Sequence, residues 1–174
     1  MSARAHPILI GVDGGGTGCR AAVGTPDEIL ARADAGPANV TTDFDQAVTN
    51  VKHAINAAIA EAGIDVDLKM AVAHVGLAGV MSDHDAGRVA DALPFDHCHV
   101  SDDRPTAVAG ALGGQDGGLV ALGTGTIVAN SRDGRMQYAG GWGLVLSDQA
   151  SGAWIGRYAL NLTLQFIRRE DRLA

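Results

Sequence analysis

Two apolar runs flank the glycine cluster Asp13-Gly14-Gly15-Gly16-Thr17. Pro7 to Val12 reads as a short buried strand that ends in this cluster. Cys19 to Val23 resumes a strand pattern directly after it, and Glu28 to Ala33 adds a third run. A strand, a glycine-rich turn and two further strands predict an antiparallel meander. Beyond it, strands and helices alternate. Thr42, with Asp45 three residues on, starts a capping pattern. Phe44, Val48, Val51, Ile55, Ala58 and Ile59 then recur at helical spacing, and Gly63 closes the helix. Lys69 to Val75 reads as a strand running into the loop Gly76-Leu77-Ala78-Gly79. A helix is expected over Asp83 to Leu93, a strand over His97 to Ser101 and a short helix over Thr106 to Leu112. This order implies a mixed sheet covered by helices, an α/β fold.

After the glycine-rich junction Gly113 to Gly118 the opening pattern begins again. Strands are expected over Leu119 to Leu122, Thr126 to Asn130 and Met136 to Ala139, around turns at Gly123-Thr124-Gly125 and Asp133-Gly134. This is a weak internal repeat. One helix, Ser151 to about Ile167, follows. The expected organisation is a first domain over residues 1–116 and the beginning of a second, similar domain over 117–174, which is incomplete.

Composition narrows the partners. The 174 residues carry a net charge of −7, with scattered Lys and Arg. Phosphate backbones need a basic face, so no nucleic-acid partner is expected. The longest apolar run, Met70 to Met81, holds about a dozen residues against the roughly 18–20 of a membrane span, so no membrane partner is expected. The N-terminal apolar run is too short for a signal peptide, and a cytoplasmic protein is the default expectation. Cys19 and Cys98 cannot by themselves build a disulfide scaffold or hold an iron–sulfur cluster. Glycine, at 24 residues, is about twice its usual share, while aromatics are 4%. That combination predicts a core of small aliphatic side chains and many close backbone approaches.

Four motifs carry chemistry. Backbone amides in the Asp13–Thr17 turn can approach an oxyanion closely, and the Thr17 hydroxyl adds a donor. Phosphate binding and a plain glycine hairpin are both open there. The dinucleotide pattern is excluded, because G-x-G-x-x-G must open a helix and here a strand follows. The Walker pattern is excluded because G-K-[ST] occurs nowhere. Gly123-Thr124-Gly125-Thr126 repeats the strand–turn–strand setting, and two such hairpins could clamp one polyphosphate. Gly140-Gly141-Trp142-Gly143, with Asp148 and Ser151 beyond, suits a polyhydroxylated ligand; an aromatic plugging a glycine turn is the alternative. Ser101-Asp102-Asp103 ends a strand and starts a helix, where carboxylates face ligand crevices. One could be a general base, while Asp102 could simply cap the helix. His97 and His99 share one strand face, but without convergent ligands they read as solvated edge residues rather than a metal site. Cys98 faces the other way and, like Cys19, reads as a small core residue.

These residues resemble those of the N-acetylglucosamine kinase and glucosamine kinase branch of the BadF/BadG/BcrA/BcrD ATPase family, within the actin–hexokinase–Hsp70 superfamily. The resemblance runs from Ile8 to about Arg157. It rests on Gly11 to Thr17, Asn39, Asp103, Gly123 to Gly125, and Gly140 to Gly143 with Asp148. The block through Ser151-Gly152-Ala153-Trp154-Ile155-Gly156 is its most specific part. It implies a ribonuclease-H-like fold in each of two domains, with ATP and an amino sugar in the cleft between them. Asp13, Gly14, Gly15, Gly16 and Thr17 would form the first phosphate loop, and Gly123, Thr124 and Gly125 the second. Asn39, Thr126, Gly141, Trp142, Gly143 and Asp148 would hold the sugar, with Asp103 beside it as the base taking a proton from the 6-hydroxyl. Mg²⁺ would neutralise the phosphates, with Asp13 near it through water. A homodimer is the compatible assembly. Phosphoryl transfer asks mainly for positioning and charge stabilisation, and needs no covalent nucleophile.

Two departures stand out. The position after Thr17, often basic in the family, is Gly18, with Arg20 two residues on. The family's Gly-Asp-Glu-Gly-Ser run reads Ser147-Asp148-Gln149-Ala150-Ser151, which removes a carboxylate at Gln149. The family's second domain also continues further and supplies an adenosine-binding loop with no match here. Residues 1–174 are accordingly expected to bind hexosamine but to hold ATP poorly. The rival readings are an ATPase activator that shares an iron–sulfur cluster between subunits, and a non-catalytic sugar-binding fragment. Cys19 and Cys98 do not sit where such cluster ligands are expected.

Overall fold

The structure is a computed structural model and describes residues 7–170. The strands and helices in chain order are β1 Leu9–Gly14, β2 Cys19–Gly24, β3 Ile29–Ala35, α1 Phe44–Ala62, β4 Val72–Leu77, α2 Asp83–Ala92, β5 His97–Ser101 and α3 Asp103–Leu112, then β6 Gly117–Leu122, β7 Thr126–Arg132, β8 Arg135–Gly140, α4 Gly143–Leu146 and α5 Gly152–Glu170. The chain divides into two compact units between Ala109 and Gly110, inside α3. No helix of the described residues is long and apolar enough to cross a membrane.

The first unit is built on a five-stranded sheet of order β3-β2-β1-β4-β5. β1, β2 and β3 pair antiparallel, as the meander predicted, while β4 and β5 extend the sheet in parallel from β1. Parallel neighbours need a crossover, and α2 supplies the one between β4 and β5. Strand residues alternate, so Ile10 and Val12 of β1 and Val75 of β4 point to one face. α1 lays Val51, Ala54, Ile55 and Ala58 into the same core. Valine and alanine dominate this core, so the sheet and α1 approach closely. Cys19 belongs to it at 1% exposure, and burial with the nearby Asp13 and Asp34 carboxylates pushes its thiol up to about 12. Cys98 packs against its edge.

Of the boundaries that differ from the sequence expectation, three have a clear local cause. Asp43, not Thr42, caps α1, accepting from the Gln46 amide at 3.0 Å; Gly63 closes the helix at φ 65° as expected. β4 starts at Val72 rather than Lys69, because residues 67–70 form a turn in which Asp67 accepts from the amides of Lys69 and Met70. It then runs through Gly76 and Leu77, which pair with Asp13 and Gly14. α3 starts at Asp103 rather than Thr106, since Pro105 falls in the first turn, where the helix needs no N–H from it.

The second unit carries a separate antiparallel sheet of order β6-β7-β8, the repeat of the opening meander. Ser151 caps α5 through its hydroxyl, which accepts from the Trp154 amide at 3.1 Å. The short helix α4 had no counterpart in the sequence reading.

Candidate functional site

The first glycine loop joins β1 to β2 and closes with a bond from the Gly15 amide to the Gly18 carbonyl, 2.8 Å. Two other loops fasten it. The Gly14 carbonyl accepts from Ala78 at 2.7 Å and the Gly15 carbonyl from Ala38 at 2.9 Å. Val40 in turn donates to the Ala78 carbonyl at 3.0 Å. A Cβ at Gly14 would lie 2.8 Å from the Ala38 Cβ, so this close approach demands glycine. The Gly16 and Thr17 amides make no backbone hydrogen bond among the described residues, and both residues are exposed. Two free amides in a tethered glycine loop are suited to an anion.

Asp13 stands at the end of β1 just before this loop. It lies in a row across four strands, Arg20, Asp13, Gly76 and Ser101. Arg20 Nη2 is 3.6 Å from Asp13 Oδ2, with the Arg20 side chain 76% exposed. Antiparallel pairing thus brings a guanidinium beside the loop although Gly18 offers no charge. The Thr106 hydroxyl, from α3, donates to Asp13 Oδ1 at 3.2 Å.

Asp102 and Asp103 follow β5 and separate into two roles. Asp102 caps α3, accepting from the Arg104 amide at 3.0 Å, and pairs with the Arg104 guanidinium at 2.7 and 3.1 Å. Partial burial pushes its carboxyl up, but the Arg104 contacts outweigh that and hold it below its ordinary range. Asp103 is the half-buried first residue of α3. Burial pushes its carboxyl up, and the neighbouring Asp102 and Asp13 carboxylates push the same way. Two adjacent carboxyls with opposite shifts are the pattern of a structural acid beside a poised base.

Asn39 sits in the 36–40 loop, where its Oδ1 accepts from the Thr41 amide at 3.0 Å and hydroxyl at 2.7 Å. These bonds orient its amide group. Gly79, at φ 88°, closes over it, since a Cβ there would lie 2.6 Å from Asn39 Oδ1. On the far side of β4, His74 Nε2 lies 3.0 Å from the Ser101 hydroxyl, and its ring meets His99 edge-on at 4.7 Å. His97 and His99 are exposed on the edge strand β5.

In the second unit the Gly123–Thr126 turn is stitched to the 147–152 segment. The Thr126 amide donates to Asp148 Oδ1 at 3.3 Å, and its hydroxyl to the Gln149 carbonyl at 2.7 Å. The Gly152 amide donates to the Gly123 carbonyl at 2.9 Å. A Cβ at Gly125 would lie 3.4 Å from Asp148 Oδ2. Asp148 itself takes a positive φ of 60°. Strain of that kind in a non-glycine residue collects at functional positions. Gly141 and Gly143 also take positive φ, at 74° and 79°. Trp142 between them is 76% exposed, so it does not plug the turn.

The sequence reading missed Thr106, Gly76 and the Ala38 and Ala78 amides. A helix start at Asp103 would have exposed Thr106, three residues on and so on the same face. The backbone amides leave no signal in side-chain patterns.

The model of the BadF/BadG/BcrA/BcrD ATPase family matches residues 10–169. The chain belongs to this family. Glucosamine kinase GspK of Vibrio cholerae is 32% identical over 166 residues, covering 93% of this chain and 55% of that protein. The N-acetylmuramic acid/N-acetylglucosamine kinase of Clostridium acetobutylicum is 28% identical over 172 residues, 94% of this chain and 56% of that protein. A crystal structure from Chromobacterium violaceum, provisionally assigned as an N-acetylglucosamine kinase, superposes with a TM-score of 0.78 at 37% identity, over 91% of this chain and 57% of that one. The chain spans about half the length of the relatives it matches. The fold class is the ribonuclease-H-like, actin-like one expected, with the mixed five-stranded sheet of the first unit and a second, three-stranded sheet.

The residues also fit Mg²⁺. That ion keeps most of its waters and is held by one or two carboxylates with phosphate oxygens. Asp13, half-buried at a strand end beside free loop amides, offers such a carboxylate. Among the described residues, no group of three or more His, Cys, Asp or Glu could hold a metal ion.

Proposed function

We propose that this protein transfers the γ-phosphoryl group of ATP to an amino sugar, N-acetylglucosamine or glucosamine, at its 6-hydroxyl, with Asp103 as general base. The observation that carries the reading is the half-buried Asp103 at the start of α3, its carboxyl raised by burial and by Asp13, beside a glycine loop with free amides. The names of the relatives support the sugar class.

In this reading the Asp103 carboxylate accepts the hydroxyl proton as the sugar oxygen forms a bond to the γ-phosphorus. The bond from phosphorus to the β–γ bridging oxygen breaks, and ADP leaves with that electron pair. Gly14, Gly15, Gly16 and Thr17, with Gly123, Thr124 and Gly125, position the phosphates. Asn39, Thr126, Gly141, Trp142, Gly143 and Asp148 position the sugar. When bound, Mg²⁺ neutralises phosphate charge, and Asp13 would hold it through water. Catalysis here is positioning and charge stabilisation, with proton transfer timed by Asp103.

The functional domain boundary falls at 116/117, where β6 opens the second phosphate turn. A homodimer in the cytoplasm completes the reading. An activator role through a shared iron–sulfur cluster is disfavoured, because Cys19 is enclosed in the core and Cys98 packs against its edge. The test is an ATP-dependent phosphorylation assay over hexoses and hexosamines, with the product position read by NMR. Phosphorylation of hexosamines at the 6-hydroxyl is expected. ATP hydrolysis indifferent to every sugar would overturn the reading.

A further inference from the structure

We infer that Thr106 is a positioning residue whose hydroxyl ties the first turn of α3 to the Asp13 carboxylate and so sets the separation of Asp13 and Asp103. The inference rests on the phosphoryl-transfer reading above and adds a residue that reading does not use.

Thr106 Oγ1 lies 3.2 Å from Asp13 Oδ1 and 3.0 Å from the Asp103 carbonyl oxygen. A hydroxyl has one hydrogen, so it serves both acceptors as a shared donor. One acceptor is the carboxylate proposed to stand near the metal. The other is the backbone of the proposed base. A threonine bonding back to the carbonyl three residues before it is ordinary helix chemistry. The reach to Asp13, 93 residues away in sequence, is not.

β4 is built to allow that reach. Gly76 pairs with Asp13 on one side and Ser101 on the other, so it occupies the strand between β1 and the start of α3. A Cβ at Gly76 would collide with Thr106 Oγ1 and would lie 2.6 Å from its Cγ2 and 2.9 Å from its Cβ. Gly76 is buried and its φ lies outside the left-handed region, so backbone conformation does not demand glycine here. The space is needed for Thr106. The Asp102 cap orders the same turn of α3 within itself, whereas the Thr106 bond joins that turn to β1. Asp13 and Asp103 repel each other when both are ionised, and the Thr106 hydroxyl, bonded to the Asp13 carboxylate and to the Asp103 backbone carbonyl, holds the start of α3 against that repulsion.

The test compares Thr106→Val, which keeps the shape and removes the hydroxyl, with Thr106→Ser, which keeps the hydroxyl. In the full chain, Thr106→Val is expected to lower kcat by about 10–100-fold while leaving both KM values within about threefold, the signature of lost positioning. Thr106→Ser should recover to within about threefold of wild type. The acid limb of the kcat–pH profile should move in Thr106→Val and return in Thr106→Ser. A Thr106→Val protein that melts lower but keeps kcat within about twofold overturns the inference. A second measurement stands apart from activity: the urea midpoints of Thr106→Val, Asp13→Asn and the double variant. Non-additive losses support the tie and additive ones overturn it. A wild-type protein inactive on every sugar would defeat the phosphoryl-transfer reading by itself, and the stability cycle would still decide Thr106.

Discussion

In the first unit Val51, Val75 and Leu77 are wholly enclosed, whereas in the second Val120 and Leu122 are 65% and 59% exposed on a sheet built from the same kind of meander. A meander alone buries little, because each strand offers two faces and a core needs a second layer. α1 supplies that layer for β1, β2 and β3. Among the described residues of the second unit, the well-buried ones are Ala129, Ser131, Ser147 and Ser151, and most are polar. Hydrogen bonds that fasten the Gly123–Thr126 turn to Asp148, Gln149 and Gly152 do there what side-chain packing does in the first unit. The two units thus place a glycine turn by different physics: one against a core, the other by a net of polar contacts.

The largest expected effect separates the two units in kinetics. Asp103→Asn keeps the shape but cannot take a proton, so kcat should fall by about 10²–10⁴-fold with sugar affinity nearly unchanged. Asp148→Asn, in the second unit, should instead raise the sugar KM by roughly tenfold and touch kcat less. Steady-state kinetics on both variants checks this; a dead Asp102→Asn with an active Asp103→Asn would place the base one residue earlier. The same site predicts a pH effect. The folded Asp103 carboxyl lies above its unfolded range, so its contribution to stability is present at low pH and lost as pH rises through the folded value. Asp103→Asn should therefore raise Tm at neutral pH and leave it nearly unchanged near pH 3, as calorimetry would show.

Next in size is a packing contrast. Leu77→Ala removes a fully enclosed side chain and should cost about 2–5 kcal/mol. Leu122→Ala should cost less than about 0.5 kcal/mol. Urea titration of both variants tests whether the first unit alone is core-dependent; equal losses would mean that Leu122 is covered in solution. Amide exchange sharpens the same point, with β4 amides expected to exchange far more slowly than those of β7. The smallest effect concerns thiols. Cys98, only partly buried, should react with a disulfide reagent well before Cys19, whose thiol sits near 12. Faster labelling of Cys19 would show the β1–β2 hairpin opening.

Much of the first unit was legible in the sequence because its signals are local. Alternation marks β1 and β2, helical spacing marks α1, and Gly63 ends it with the left-handed turn that glycine tolerates. The errors were local as well. Thr42 and Asp43 are both good caps, and only the backbone path decides between them. Pro105 hid the true start of α3, because proline reads as a break although the first helical turn accepts it. The candidate residues Asp13, Asn39 and Asp103 were visible as motif positions, yet Asp102 and Asp103 were separable only once Arg104 was seen to occupy the first and burial to raise the second.

By itself the sequence determined the element order apart from α4, the repeated meander and the polar residues placed at strand ends, since these follow from periodicity and turn chemistry along a few adjacent residues. Tertiary structure alone decided that Gly14 and Gly15 are tethered by Ala78 and Ala38, that Arg20 stands beside Asp13, and that Thr106 crosses Gly76 to reach it. Each of these depends on register between strands or on a helix crossing a sheet. Such contacts join residues up to 93 positions apart, and no local pattern encodes which of many donors will meet a given carboxylate.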